Sequence, residues 1–331
     1  GMLNAFYALK GKYADKRKLA DDAIYLERVL CNESGGVQDQ IAAAFGGLNR
    51  INFNADGYEV NPVIISPERK AQLNQNLMLF FTGFSRFSSD IQQTTEKALV
   101  DKLKELNASV GVAVLMEVAT GEVKAIVNMM KAADGNYYEM RNNAISDMLE
   151  PGSTFKTASI MVALEDGHIT PDYEVDTGNG IKMMYGRPMK DWNWHRGGYG
   201  RINVTRILEV SSNVGTSSII DQFYHDNPQK FVDGLKRMSI DQPLHLQIAG
   251  EGKPNIRGPK ERYFAKTTLP WMSIGYETQV PPMNILTFYN AIANDGVMVR
   301  PKFVKAAVKD GEVVKEFPTE VINPKICSDN T

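Results

Sequence analysis

Cysteine is nearly missing. Cys31 and Cys327 are the only two in 331 residues; they lie far apart in dissimilar settings, which excludes a disulfide framework and a Cys-type zinc site. Each is expected to be a buried free thiol. Histidine is almost as sparse: His168, His195, His225 and His245 show no His-x-x-x-His or similar ligand spacing, so neither a metal nor a cofactor is expected. No sign of charge dominates, with 37 Lys and Arg against 39 Asp and Glu, and this balance gives no footprint for nucleic acid or an anionic membrane. No stretch reaches the roughly eighteen apolar residues of a membrane helix. The start, Gly-Met-Leu-Asn-Ala-Phe, lacks a basic region followed by an apolar run, so neither an export signal nor an anchor is expected in this chain.

What remains is an ordinary soluble composition, long enough for two domains. Residues 2–10 and about 15–30 read as two helices, the second with Leu19, Ala23, Leu26 and Leu30 at helical spacing. A glycine turn, Gly35-Gly36, then opens a helix of small residues with Asp39 in its first turn, where a carboxylate is favoured by the helix dipole. From residue 88 the pattern changes. Ile91, Thr95, Ala98, Leu99, Leu103 and Leu106 predict one apolar helix face. Gly111–Val118 and Val123–Val127, joined through Ala119-Thr120-Gly121, predict a β-hairpin. A helix, a hairpin and a mainly helical remainder suggest α+β organisation. Residues 171–201 hold no sustained period and are expected to form a long surface excursion; within them, Asp191-Trp192-Asn193-Trp194-His195 reads as a packed loop core or, alternatively, the lining of a groove.

The stretch Glu150-Pro151-Gly152-Ser153-Thr154-Phe155-Lys156 sets a Ser and a Lys three residues apart at a helix start, hence on one face. A serine hydroxyl needs a neighbouring base to become a nucleophile. Lysine can be that base once burial and the positive end of a helix lower its pKa. Unpaired N–H groups of the first turn could hold an oxyanion. Alone, Ser-x-x-Lys arises roughly once by chance in a chain of this length. Ser211-Ser212-Asn213, at the end of a helical stretch beginning near Val204, gives it a partner.

Together the two motifs, with the hairpin sequence Gly111–Val127, Val210–Gly215, Ser273-Ile274-Gly275-Tyr276-Glu277, Pro281-Pro282 and Asn290–Gly296, resemble the transpeptidase domain of division-type penicillin-binding proteins over residues 89–331. The resemblance implies a helical region packed on an antiparallel sheet, with Ser153 attacking the penultimate D-Ala carbonyl of a peptidoglycan stem peptide. It further implies Lys156 as the proton acceptor, Ser211 as a relay to the leaving amine, and Asn213 as a hydrogen-bonding partner of the substrate amide that also helps fix Lys156. β-Lactams would acylate the same serine, and the setting would be the cell envelope or periplasm. The family's third motif, Lys-Thr/Ser-Gly on a strand, is absent: Lys266-Thr267-Thr268 is the nearest string, with Thr268 in place of the Gly. The chain is expected to stop at Thr331 short of that motif, leaving the fold incomplete and its sheet with an open edge, with an inactive enzyme as the alternative to an active one.

Residues 1–95, through Gly35–Asn49 and Leu79-Phe80-Phe81-Thr82-Gly83-Phe84-Ser85-Arg86, resemble instead the GHMP superfamily of sugar kinases, most closely heptose-phosphate kinases. That resemblance implies Asp39 as the base toward a sugar hydroxyl, on a smaller α/β fragment. The Gly/Ser-rich phosphate loop of that family is not found, so phosphoryl transfer is not expected. The chain thus reads as a composite of domains 1–88 and 89–331, cytoplasmic location being the alternative that the kinase-like part implies. Three functions follow: an acyl-serine transpeptidase, a sugar-phosphate kinase fragment, or a non-catalytic binding protein retaining the fold.

Overall fold

A computed structural model describes residues 2–31, 37–54, 57–76, 79–81, 87–309 and 312–331. The chain forms two compact units, Gly1–Leu79 and Phe80–Thr331. In the first, α1 (Met2–Leu9) is followed by α2 (Lys16–Ile24), which Asp15 caps by accepting from the Lys18 N–H and which runs on as a π-helical turn over Tyr25–Leu30. Helix α3 (Gln38–Phe45) and the antiparallel pair β1 (Asn49–Asn54) and β2 (Gly57–Pro62) close a small core around Ala20, Ile41 and Tyr58, and α4 (Pro67–Asn76) ends the unit. Gly35, Gly36 and residues 82–86, part of the kinase-like resemblance, lie outside the described residues.

In the second unit, α5 (Phe87–Leu106) packs on the hairpin β3 (Val110–Met116) and β4 (Val123–Lys131), with Val114 opposite Ile126. The buried face is Leu103 with Leu99 and Val100 half-buried, over Val127 and Met129. Ile91 and Leu106, expected on that face, are 41% and 63% exposed. Strand β5 (Tyr137–Tyr138) pairs with the end of β4, and the Gln92 side chain supplies both missing ladder bonds at Ile126, donating to its carbonyl (2.9 Å) and accepting from its N–H (3.1 Å). A helix side chain here does the work of a strand.

After α6 (Asn143–Ser146), the 3₁₀ turn Gly152–Phe155 leads into α7 (Lys156–Glu165). Helix α7 is buried along most of its length, from Lys156 through Ala163. Around it lie Ile219, Ile220 and Tyr224 of the helix Asn213–Tyr224, Phe231 and Leu235 of the helix Pro228–Arg237, and Phe288 of the helix Pro282–Ala293; a Cβ at Gly234 would meet Val162 at 2.4 Å, which shows how closely the backbone there approaches α7.

Residues 171–201 differ from the predicted excursion. They hold two small antiparallel pairs: β6 (Glu174–Asp176) with β9 (Arg201–Asn203), and the hairpin β7 (Ile181–Met184) and β8 (Arg187–Lys190). Tyr185 and Gly186, both at positive φ (51° and 82°), make the two-residue turn, a geometry that Asn-Gly usually announces and Tyr-Gly does not. Strands of three and four residues are also too short to declare a period. Met184 and Met189 pack this hairpin against Val214 and Ile274. Helices α8 (Val204–Glu209), α9 (Asn213–Tyr224), α10 (Pro228–Arg237), α11 (Thr268–Met272) and α12 (Pro282–Ala293) follow in order. The two thiols depart from expectation: Cys31 is exposed and Cys327 only partly buried. Among the described residues no helix is long and apolar enough to cross a membrane.

Candidate active site

The serine turn is held from outside its own helix. Gly152 donates its N–H to Gly275 O (3.1 Å), the Glu277 N–H donates to Glu150 (2.8 Å), and Val280 N bonds Leu149 O (2.9 Å). The two backbones approach so closely that a Cβ on Gly275, at φ +84°, would lie 2.1 Å from Gly152 O. Only glycine satisfies both the positive φ and that approach. Phe155 then plugs the turn into the core with no exposure, while Ser153 two residues earlier is exposed. The turn therefore presents the hydroxyl outward. In the first turn of a helix the N–H groups have no intrahelical acceptor, so the Ser153 N–H is placed to serve an oxyanion.

Lys156, by contrast, is buried. It is 2% exposed, and its Nζ donates to Ser211 O (2.6 Å) and Ser211 Oγ (2.9 Å). Burial pushes its pKa down to about 8, against which the negative charge of Asp191 pulls it up. Ser153, one 3₁₀ turn earlier, lies above Lys156 on the same face, but among the described residues the hydroxyl of Ser153 accepts no bond from that amine, whose two bonds go to Ser211. The structure thus joins Lys156 and Ser211 directly and leaves Ser153 beside them.

Ser211 owes its place to the end of α8. The Ser211 N–H bonds Leu208 O (3.1 Å) and the Ser212 N–H bonds Ile207 O (2.9 Å), the paired bonds of a Schellman motif. That motif sets its C′ residue in the left-handed region, and Ser211 has φ +53°, where glycine is the usual occupant. A serine is held there at a cost of about 1–2 kcal/mol, and its hydroxyl reaches Lys156. Ser212 is the N-cap of α9, accepting from the Gly215 N–H (2.8 Å). Asn213 does not fix Lys156 as expected: its Nδ2 donates to Lys190 O (2.7 Å). The reason is the β8 end, which lies alongside and offers a carbonyl.

Sequence reasoning missed Asp191. It is 1% exposed and accepts from Ser212 Oγ at both carboxylate oxygens (3.0 Å each) and from the Val214 N–H (3.0 Å). The cluster Asp191–His195 therefore divides: its aspartate is buried against Ser212 and Val214, while Trp192 and Trp194 are 62% and 42% exposed. A lone Asp in a polar loop carries no periodic signal that could have singled it out. Lys266-Thr267-Thr268 is not the third motif. Thr268 opens α11, is fully buried and donates to Glu277 (2.7 Å); a helix start cannot offer the strand edge that motif needs.

Asp39 stands in the first turn of α3, exposed, in a groove with Leu3, Leu19, Ala23, Glu27 and Gln40. It does not cap the helix, whose N-cap Val37 makes no side-chain bond.

Comparison with known proteins accords with this geometry. The family model described as "Penicillin binding protein transpeptidase domain" matches residues 111–329. The chain is 29% identical over 214 residues to peptidoglycan D,D-transpeptidase FtsI of Buchnera aphidicola (62% of this chain, 35% of that protein) and 30% identical over 228 residues to the probable peptidoglycan D,D-transpeptidase PenA of Neisseria flavescens (67% and 54%). It spans about a third to a half of the length of these relatives. Penicillin-binding protein 3 of Mycobacterium tuberculosis, solved in complex with ampicillin, is 25% identical with a TM-score of 0.62, covering 73% of this chain and 53% of that one. The match begins at residue 111, so the kinase-like reading of residues 1–88 stands on its sequence likeness alone. With the exposed serine, the buried lysine and the Ser-Ser-Asn turn assembled at the start of α7, the chain belongs to the penicillin-binding protein transpeptidase domain family.

Proposed function

We propose that the second unit is the acyl-serine part of a peptidoglycan D,D-transpeptidase and binds β-lactams covalently. The observation that carries this is the 2.9 Å bond between Lys156 Nζ and Ser211 Oγ, one helical turn along from an exposed Ser153. With a pKa of about 8, about a tenth of Lys156 is neutral at pH 7 and able to take a proton. Ser153 Oγ attacks the penultimate D-Ala carbonyl, its proton passing to Lys156 Nζ. Ser211 relays that proton to the departing D-Ala amine, and the acyl-enzyme ester is left. A neighbouring stem-peptide amine then attacks the ester carbonyl, its proton returning through the same groups to Ser153 Oγ. Asn213 Oδ1 receives the substrate amide N–H. Peptidoglycan as substrate puts the setting in the cell envelope.

The test is covalent labelling by a fluorescent penicillin, with the adduct located by peptide mass spectrometry. Label on Ser153 that vanishes in Ser153→Ala is the expected result. A folded wild-type protein that takes no label refutes the reading and leaves a binding protein that keeps the fold without the chemistry.

For residues 1–88 we propose a GHMP-kinase-like fragment in which Asp39 faces the groove along α1, α2 and α3. Stabilisation by a sugar phosphate, lost in Asp39→Asn, is the expected result; an unchanged melting curve at millimolar ligand refutes it.

A further inference from the structure

The carboxylate of Asp191 has no ion pair among the described residues, yet it is almost fully buried. Its compensation comes from the N-terminus of α9, a helix of 12 residues, through the Val214 N–H and the capping hydroxyl of Ser212. The main chain is fixed on the other side, Asp191 N donating to Gly180 O (2.9 Å) and Trp194 N to Asp191 O (3.2 Å). With Asn213 Nδ2 bonded to Lys190 O, two consecutive residues of the β8 end grip all of Ser212, Asn213 and Val214. Those three residues follow Ser211 directly.

We propose that Asp191 is a positioning residue for the acyl-transfer site, its carboxylate clamping the Ser212–Val214 turn so that the Ser211 hydroxyl stays on Lys156. The proposal rests on the acyl-transfer reading of Ser153 for its catalytic half and on the hydrogen bonds from Ser212 and Val214 to the carboxylate for the clamp; loss of that carboxylate also removes a negative charge that raises the Lys156 pKa.

Other charges on the elements around α7 are engaged elsewhere. Arg206 and Glu209 of α8 pair with each other; Lys230 and Arg237 of α10 pair with Asp166 at the far end of α7. Asp233 accepts from Gln229, Asp221 from Tyr185, and Glu165 from Ser328. Lys236 lies in the last turn of α10. The charge that acts on Lys156 is that of Asp191.

The test uses the full chain labelled with ¹³C-lysine, the Lys156 ¹³Cε signal being assigned with Lys156→Arg. In wild type it is expected to titrate near pH 8. Asp191→Asn keeps the shape and removes the charge: the midpoint is expected to move to lower pH, and penicillin acylation at its high-pH plateau to fall about tenfold or more. Asp191→Glu restores the midpoint toward wild type. An unchanged or raised midpoint in folded Asp191→Asn overturns the proposal. Should that variant not fold, Ser212→Ala keeps the charge and cuts the clamp: acylation reduced about tenfold with the midpoint held supports positioning, and wild-type acylation overturns it. A wild type that never takes penicillin while Asp191→Asn still lowers the midpoint sinks the acyl-transfer reading and upholds the pairing of Asp191 with Lys156.

Discussion

Ser211 holds a position that glycine would occupy more cheaply, and replacing it separates what the fold wants from what the chemistry wants. Two substitutions resolve the two effects. Ser211→Ala keeps a Cβ at φ +53° and removes the hydroxyl that accepts from Lys156; the lost bond is to a mostly charged amine, while the 2.6 Å bond to Ser211 O persists, so the expected cost is about 1–2 kcal/mol. Ser211→Gly loses the same bond but relieves the left-handed strain. Set against the greater freedom of glycine in the unfolded chain, the gain over alanine is about 1 kcal/mol. For a unit of this size that is about 2–4 °C in Tm. Acylation behaves otherwise, because both variants lack the proton relay: each is expected to lose about a hundredfold or more in the second-order rate with a fluorescent penicillin. The assay is a thermal melt and an acylation time course on the same three proteins. Equal Tm values for the alanine and glycine variants would refute the strain, and a glycine variant that acylates at the wild-type rate would refute the relay.

Lys156 makes stability depend on pH with a sign opposite to that of a salt-bridged lysine. Its folded pKa of about 8 lies below the ordinary lysine value of 10.5, so between these limits the unfolded chain binds more protons and stability rises with pH, by about 3 kcal/mol across the window; urea melts from pH 7.5 to 10.5 should show the rise in wild type and lose it in Lys156→Met. The acylation rate should rise with pH through about 8 for the same reason, and a flat profile from pH 7 to 9 would remove Lys156 as the base. Gly275→Ala, whose Cβ would sit 2.1 Å from Gly152 O, is expected to cost about 3 kcal/mol or more, whereas Gly200→Ala, at φ +65° with open space around it, should cost about 1 kcal/mol, both read by thermal melts. Tyr224→Phe removes the buried hydroxyl that donates to Asp166 (2.9 Å) and should cost about 1–2 kcal/mol in urea melts.

Much of this site was legible because its parts are local. The Ser153–Lys156 spacing places two groups on one helix face whatever surrounds them, and Ser211 could be paired with them through resemblance to a family that carries the same two motifs. The hairpin β3–β4 was equally plain, its strands long enough to alternate and its turn marked by Gly121. What stayed hidden depends on chain segments far apart in sequence meeting in space. The apposition of Gly152 and Gly275 is invisible until the two backbones are laid side by side, and Asp191 looks like any loop aspartate until α9 is seen to point its N-terminus at it. The β7–β8 hairpin was missed because its turn uses Tyr185 where Asn would have given the signal. Asn213 went to Lys190 and not to Lys156 because a strand end that no pattern predicted lies beside it.

The costs in this site fall on one seam and explain one another. A lysine with a lowered pKa must be buried, and a buried amine needs acceptors that do not fully charge it. A backbone carbonyl and a neutral hydroxyl from the same residue meet that need, but one residue can offer both only if its main chain turns back sharply, which the left-handed Ser211 does. That turn in turn needs holding, since a strained C′ residue would relax if α9 were free to shift; the Ser212 cap and the Asp191 carboxylate hold it. The carboxylate, buried for that purpose, then limits how far the lysine pKa can fall. Its charge keeps Lys156 near 8, within reach of neutral pH as both acceptor and donor of a proton. Weakening the clamp and lowering the lysine pKa are therefore expected to occur together, and no single substitution at Asp191 should produce one without the other except the charge-conserving Asp191→Glu.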